Sequence, residues 1–143
     1  MATFIAMVKS AAYESDVPAF RGVLENSGML KPDAPVSTDD VGVYFGRFYE
    51  PVRADAPITW TPQYASSIVR HTFDRSSPIA QYATVPKTFV FIQRINLGLY
   101  AILGELGASG NYRRIARELW PFVNDPPSTP MGESERNWLA SRS

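Results

Sequence analysis

Apolar residues recur along the chain at the spacing of α-helices. Over most of residues 3–123 they fall three and four positions apart, which places them on one face of each predicted helix. Capping residues precede several runs, with Asp16 before Pro18 and Thr61 before Pro62. The two-residue alternation of strands forms no convincing stretch. The pattern predicts an all-α domain of about six helices, beginning near residues 3, 17, 41, 62, 87 and 111.

The longest predicted helix covers about residues 87–106 and is apolar nearly all round. A helix of this kind is expected at the centre of a bundle. One stripe differs, since Arg94, Gly98, Ala101 and Glu105 follow each other at helical spacing. We expect the small residues to let another helix approach closely, and the two charges to be paired or kept at the surface. Arg94, Gly98 and Glu105 are therefore predicted structural positions.

Two features argue against membrane insertion and export. Arg94 and Glu105 lie inside the apolar segment 89–106, and a charge near the bilayer centre costs ~2.5–3.5 kcal/mol. At the N-terminus, Lys9 follows the apolar stretch, whereas a secretory signal has its basic residues first. We expect no transmembrane segment and a cytoplasmic protein.

The predicted helical domain spans residues 1–123. Residue 124 begins the run Asn-Asp-Pro-Pro-Ser-Thr-Pro, which predicts a Pro-rich linker and a weakly ordered tail over 124–143. A further helical turn over 133–140 is expected if the tail docks.

Composition excludes several kinds of chemistry. Lys and Arg number 14 and Asp and Glu 14, a balance that argues against a nucleic-acid partner. The chain has no cysteine, which excludes disulfides, Cys-zinc sites and thiol nucleophiles. With His71 as the single histidine, a metal site is not expected, and we predict no cofactor.

Charged residues that resemble catalytic groups have structural interpretations. His71 falls near the end of a helix, where a cation suits the helix dipole, and this is favoured over a catalytic base. Asp39 and Asp40 are adjacent at a helix start, which favours capping over a paired-carboxylate site. Three arginines, Arg113, Arg114 and Arg117, are expected on a solvated face rather than at a phosphate site, with Glu118 placed to pair with Arg114.

Glycine and aromatic patterns leave two alternatives each. The series Gly104, Gly107 and Gly110 follows no strand, so a turn after a helix is favoured over a nucleotide-binding loop. Tyr44 and Phe48 have the spacing of core residues, but a groove for an apolar ligand is the alternative. Tyr44, Phe48 and Arg94 are thus the candidate ligand-binding residues.

Two stretches resemble the UbiB/AarF atypical kinase family. The first is Phe-Val-Phe-Ile-Gln-Arg-Ile-Asn-Leu-Gly-Leu-Tyr-Ala-Ile-Leu-Gly-Glu-Leu at 89–106, followed by Gly-Asn-Tyr-Arg-Arg-Ile-Ala-Arg-Glu-Leu-Trp-Pro-Phe at 110–122. The second is Asp-Val-Pro-Ala-Phe-Arg-Gly-Val-Leu at 16–24 with Ser-Gly-Met-Leu-Lys-Pro at 27–32. The resemblance covers roughly residues 5–123, and the core Ile-Gln-Arg-x-x-x-Gly-Leu at 92–99 is its most specific part.

The resemblance implies a fold and a functional context. The chain would correspond to the helical C-lobe of a kinase-like domain, in a family with ATPase or small-molecule kinase activity linked to ubiquinone and isoprenoid-lipid metabolism. The N-lobe, the nucleotide-binding lysine and the catalytic acids have no counterpart here, so no catalytic residue is carried over. Arg94 would be a structural anchor, with a guanidinium suited to a carboxylate or backbone partner. Family members often act near membranes, which makes peripheral membrane association an alternative location.

Three hypotheses follow. The favoured one is a non-catalytic helical module, either a fragment of such a kinase or free-standing, that packs against a protein partner or associates with itself. The alternative is a helical protein that binds a quinone or isoprenoid. The least favoured is an enzyme that uses Arg94, Glu105 or His71, which the sequence does not assemble into a constellation.

Overall fold

The computed structural model describes residues 2–118 and 126–142, and it is mostly helical. The prediction of an all-α fold is confirmed at that level. Two short strands add a small antiparallel pair that the sequence pattern did not predict. The helices are α1 (Ala2–Val8), α2 (Val17–Asn26), α3 (Thr38–Gly46), α4 (Glu50–Arg53), α5 (Pro62–Phe73), α6 (Lys87–Glu105), α7 (Tyr112–Glu118) and α8 (Pro130–Ala140), and the strands are β1 (Ile58–Thr59) and β2 (Ser109–Gly110).

Two helices continue or restart in ways that the pattern did not show. After α1 the chain continues as a π-helix over Lys9–Tyr13, where the buried Ser10 hydroxyl donates to the Ala6 carbonyl (2.7 Å). After α3 it forms a 3₁₀ turn, Arg47–Tyr49, and then α4. The predicted exit from the third helix at Glu50 and Pro51 is therefore wrong, because proline is tolerated in the first turn of a new helix.

The predicted caps begin their helices. Asp16 accepts a hydrogen bond from the Ala19 amide (2.9 Å), and Thr61 accepts one from the Tyr64 amide (3.1 Å). Ser37 accepts from the Asp40 amide (3.0 Å) and donates its hydroxyl to the Asp40 carboxylate (2.6 Å). Ser37 is therefore the N-cap of α3. Asp40, for which the sequence favours capping, instead supports this cap by accepting the hydrogen bond of the Ser37 hydroxyl.

Gly28 and Gly107 end α2 and α6 in the same way. Their φ angles are +76° and +58°, a left-handed conformation that costs glycine little. In each case the glycine amide and the next amide bond back to the last turn of the helix, the pattern of a Schellman motif. The predicted turn at Gly107 is confirmed, and Leu30 after Gly28 folds back into the core with no exposed surface.

Two hydrophobic clusters hold the described residues together. The first joins α1, α2 and α3 to the loop before α6, around Phe20, Leu24, Leu30 and Val41. The second lies between α5 and α6, where Trp60, Ala65 and Ile68 are its buried members. Near its C-terminal end α6 contacts the first turn of α5, so these two helices run antiparallel.

The prediction that α6 is the central helix is wrong. Its ends agree with the predicted bounds, but among its residues Gly104 alone is fully buried. One face packs on α5, and the opposite face is uncovered by any described part of the chain. The helices α1, α2 and α3 form their own cluster, which α6 reaches through Phe89 near its start, and they do not surround α6. An all-round apolar pattern is therefore not matched by all-round burial.

The C-terminal segment contains α8, which is longer than the single turn considered from sequence. Glu118 accepts hydrogen bonds from Ser128 (2.6 Å) and Thr129 (3.4 Å), which connect the start of this segment to α7. Residues 133–142 are all exposed. The predicted domain boundary at 123, and the predicted helical residues 119–123, lie outside the described residues.

Candidate functional site

The outward side of α6 carries a continuous apolar stripe, here named the α6 face. Its members follow one another at intervals of one, three or four residues, so at 3.6 residues per turn they occupy about 100° of the helix circumference. Phe91 and Leu106, near its two ends, are 74% and 73% exposed. The α6 face consists of Phe91, Ile92, Ile95, Leu99, Ile102 and Leu106.

Arg94, Gly98 and Glu105 lie along one edge of the α6 face, and all three are exposed. Arg94 makes no hydrogen bond or ion pair with any of residues 2–118 and 126–142, so the anchoring role expected for it is not found within this part of the chain. A Cβ added to Gly98 would meet nothing within 4 Å. The close helix approach expected at Gly98 is therefore wrong for this chain's own described helices.

The close approach occurs six residues later along α6, at Gly104. A Cβ there would lie 3.0 Å from the Thr61 carbonyl oxygen and 3.2 Å from Ala65 Cβ. Glycine is thus required where α6 meets α5, and this buried contact leaves Gly98 and Ala101 on the outer side of the helix.

A second candidate site is a groove of about 480 Å³ between α3, the end of α5, the loop after it and α6. Binding pockets for small molecules usually have volumes of ~300–1,000 Å³. Tyr44 and Phe48, the ligand-binding candidates from sequence, both line it, whereas Arg94 does not. Phe45, Phe73 and Met29 complete most of its apolar wall.

His71 connects the helices that form this groove. Its Nε2 donates to the Tyr44 carbonyl oxygen (2.8 Å), and its ring lies 4.7 Å from the Tyr44 ring and 5.3 Å from the Phe48 ring. It stands in the last turn of α5, as predicted. These contacts give His71 a structural role that links α5 to α3.

Polar groups enter the groove at its rim. Arg75 and Gln93 line it and make no hydrogen bond with any other residue in the described parts of the chain. Ser76 donates two hydrogen bonds to the Asp74 carboxylate, one from its hydroxyl and one from its backbone amide, and these hold the pKa of Asp74 below its usual range. Burial raises the pKa of Tyr44. The groove therefore combines apolar walls with two available donors and one carboxylate.

The arginines of α7 anchor the fold. Arg113 donates to the carbonyl oxygens of Ala12 (2.6 Å) and Arg53 (2.7 Å), at the ends of the π-helix and of α4. Arg114 forms a bidentate pair with Asp55, with its shorter contact at 2.7 Å. Arg117 lies over the Tyr13 ring at 5.8 Å. The expected solvated face is thus wrong for Arg113, and the expected partner of Arg114, Glu118, is engaged by Ser128.

The sequence reasoning missed the aromatic cluster around Trp60. Trp60 is 1% exposed and stacks on Tyr100 at 4.7 Å with an interplanar angle of 18°. Its indole Nε1 has no hydrogen-bond partner among the described residues. Trp60 lies between β1 and the cap of α5, outside any helix, so helical periodicity gave no signal for it.

The three residues of the enzyme hypothesis are not brought together. Arg94 and Glu105 are separated by ~16 Å along α6 at 1.5 Å per residue. His71 lies on α5 against α3. Within residues 2–118 and 126–142, no group of three His, Asp or Glu side chains could hold a metal ion.

None of the described helices, α6 included, is long and apolar enough to cross a membrane. Comparison of the chain with protein-family models, with curated proteins and with solved structures found no match in any of the three.

Proposed function

We propose that this chain is a non-catalytic helical docking module that binds a protein partner through the α6 face. The observation that carries the proposal is the continuous apolar stripe that no described part of the chain covers, on a helix whose other side is packed on α5. Its six large apolar side chains are 40–74% exposed and lie next to one another, so they form a patch on the order of several hundred Å². Exposed patches of this size mark interaction sites.

The resemblance to UbiB/AarF kinases gives this docking module its proposed context. The most specific stretch of the resemblance, residues 92–99, lies within α6. A helical C-lobe-like part would present such a surface to the remainder of a kinase-like protein or to another subunit. The scattered positions of Arg94, Glu105 and His71 favour docking over catalysis.

Site-specific photo-crosslinking tests the docking function. A photoreactive amino acid replaces Ile95 at the middle of the α6 face or, as the matched control, Val43, which is 77% exposed on α3. In cells that express the protein, we expect a protein-sized adduct from position 95 and none from position 43. No adduct from position 95, or equal adducts from both positions, would contradict the docking function.

Nucleotide binding tests the non-catalytic part of the proposal. Titration of the purified chain with Mg-ATP is expected to give no heat of binding at micromolar concentrations. A micromolar dissociation constant would show that the chain itself holds a nucleotide site.

The groove beside Tyr44 supports a second candidate function, the binding of a quinone or another apolar ligand. A quinone ring fits aromatic walls, and its carbonyl oxygens would accept hydrogen bonds from Arg75 and Gln93. Titration of the purified chain with a short-tailed benzoquinone should give a saturable heat of binding. Since one hydrogen bond contributes ~0.5–1.5 kcal/mol, Gln93→Leu should weaken the affinity by about twofold to tenfold. Arg136→Ala, on the exposed α8, is the control that should leave the affinity unchanged, and no heat of binding with the wild type would remove this candidate.

A further inference from the structure

The α6 face is nearly symmetric about the point midway between Gly98 and Leu99. Ile95 and Ile102 lie equally far from this point, and so do Phe91 and Leu106. A two-fold axis at that point would place Ile95 of one copy opposite Ile102 of the other. Such self-complementarity is what an interface between identical subunits requires, because the same patch must face itself.

The charged edge of the face is also self-complementary, in one orientation only. Arg94 and Glu105 lie on the same edge, on opposite sides of the midpoint. In an antiparallel pair, Arg94 would lie within ~3 Å, measured along the helix axis, of Glu105 of the second copy at 1.5 Å per residue. A parallel pair would instead place this edge against the apolar edge around Ile92. The charges therefore select the antiparallel arrangement.

Gly98 adds a steric argument. It lies next to the midpoint on the charged edge, and its missing Cβ faces open space. Small residues at a crossing point let two helix backbones approach closely. The missing side chain of Gly98 would therefore allow two helices to pack closely at this point, a contact that no described helix of the same chain makes there.

The available area agrees with a dimer interface. A stable interface buries about 800 Å² on each partner. Six apolar side chains that are each 40–74% exposed, extended by the exposed Arg94, Gly98, Ala101 and Glu105, offer an area on the same order. An apolar centre with a charged rim is also the usual composition of such interfaces.

We propose that two copies of this chain pair through the α6 face, with the helices antiparallel and Gly98 next to the two-fold axis. The proposal rests on the docking function proposed above and names its partner as a second copy. In the pair, Arg94 forms an ion pair with Glu105 of the other copy, which gives both residues a structural role that is not found within residues 2–118 and 126–142 of one chain.

Light scattering on the purified full chain tests the pairing. We expect the wild type to have twice the 15.9 kDa mass of one chain. Ile95→Glu should have the mass of one chain, since it places a carboxylate at the centre of the interface, and Val43→Glu should remain paired. Ile95 is exposed in the single chain, so both variants should keep the helical circular dichroism of the wild type. A wild type with the mass of one chain at high concentration would overturn the proposal.

Charge reversal tests the antiparallel orientation. Each pair contains two Arg94–Glu105 contacts, so Arg94→Glu should raise the dissociation constant of the dimer on the order of tenfold at low salt. Adding Glu105→Arg to the same chain exchanges the charges and should restore the wild-type constant. If the double variant is as weak as the single one, the antiparallel register is wrong.

The photo-crosslink from position 95 separates this proposal from the docking function. An adduct between two copies supports both. An adduct with a different protein, such as a kinase-like partner, supports the docking function and overturns the proposal that the partner is a second copy. The absence of any adduct overturns both.

Discussion

Arg113 joins the ends of two helical segments that are distant in sequence. Its guanidinium satisfies carbonyl groups at the end of the π-helix and at the end of α4, and it lies 5.2 Å from the Tyr13 ring centroid. Terminal carbonyls carry the negative end of the helix dipole, so a cation there is favourable. This one side chain thus connects α7 to the π-helix and to α4.

Arg113→Ala should lower the free energy of unfolding by about 1.5–3 kcal/mol, because hydrogen bonds from a charged donor are lost and the carbonyls lose their partner. Urea denaturation measures the change. Arg75→Ala, on an exposed loop, is the matched control and should stay within about 0.5 kcal/mol of the wild type. Equal effects of the two substitutions would show that Arg113 is not an anchor.

Tyr64 makes stability depend on pH in the alkaline range. Burial raises the pKa of its hydroxyl to about 12, and the carboxylate of Glu50, which accepts a hydrogen bond from this hydroxyl at 3.2 Å, acts in the same direction. An unfolded tyrosine ionises near ~10. The stabilising contribution is therefore complete below pH ~10 and is lost as pH rises towards about 12.

Tyr64→Phe should reduce the decline in stability across this pH range without abolishing it, since burial raises the pKa of Tyr49 and Tyr100 as well. Thermal melts at several pH values measure the slope. Identical slopes for the variant and the wild type would contradict the assignment.

At the scale of elements, helix starts and stops could be predicted because they depend on local chemistry. Asp16, Ser37 and Thr61 carry oxygens that satisfy the first amides, and Gly28 and Gly107 adopt the left-handed conformation. The π-helical turn and the strand pair could not be predicted in this way. They depend on contacts between segments that are far apart in sequence, such as the Trp60 amide and the Ala108 carbonyl (2.9 Å).

The contact between α5 and α6 should be sensitive to the size of residue 104. Gly104→Val should lower the free energy of unfolding by about 1–3 kcal/mol, because its branches would overlap the Thr61 carbonyl. Gly22→Ala in α2 is the matched control, since a Cβ there meets nothing within 4 Å. It should be neutral or raise stability by up to about 1 kcal/mol. A neutral Gly104→Val would contradict the close packing.

At the scale of the whole molecule, the apolar pattern of residues 87–106 correctly gave the bounds of α6 but not its position. An apolar pattern shows that a surface is to be covered, and it does not show whether the same chain or another one covers it. For the same reason Tyr44 and Phe48 could be singled out from their spacing, whereas Arg75 and Gln93, which complete the groove, gave no periodic signal. The α6 face is where this distinction matters most.

Cysteine cross-linking at Ala101, an exposed residue on the edge of the α6 face, tests the pairing of two copies directly, because the chain contains no native cysteine. The Ala101→Cys chain is treated with a short bis-maleimide, and Val43→Cys, at an exposed position of α3, serves as the control. We expect rapid formation of a covalent dimer at position 101 and little at position 43. Slow and equal cross-linking at both positions would show that the α6 faces do not meet in solution.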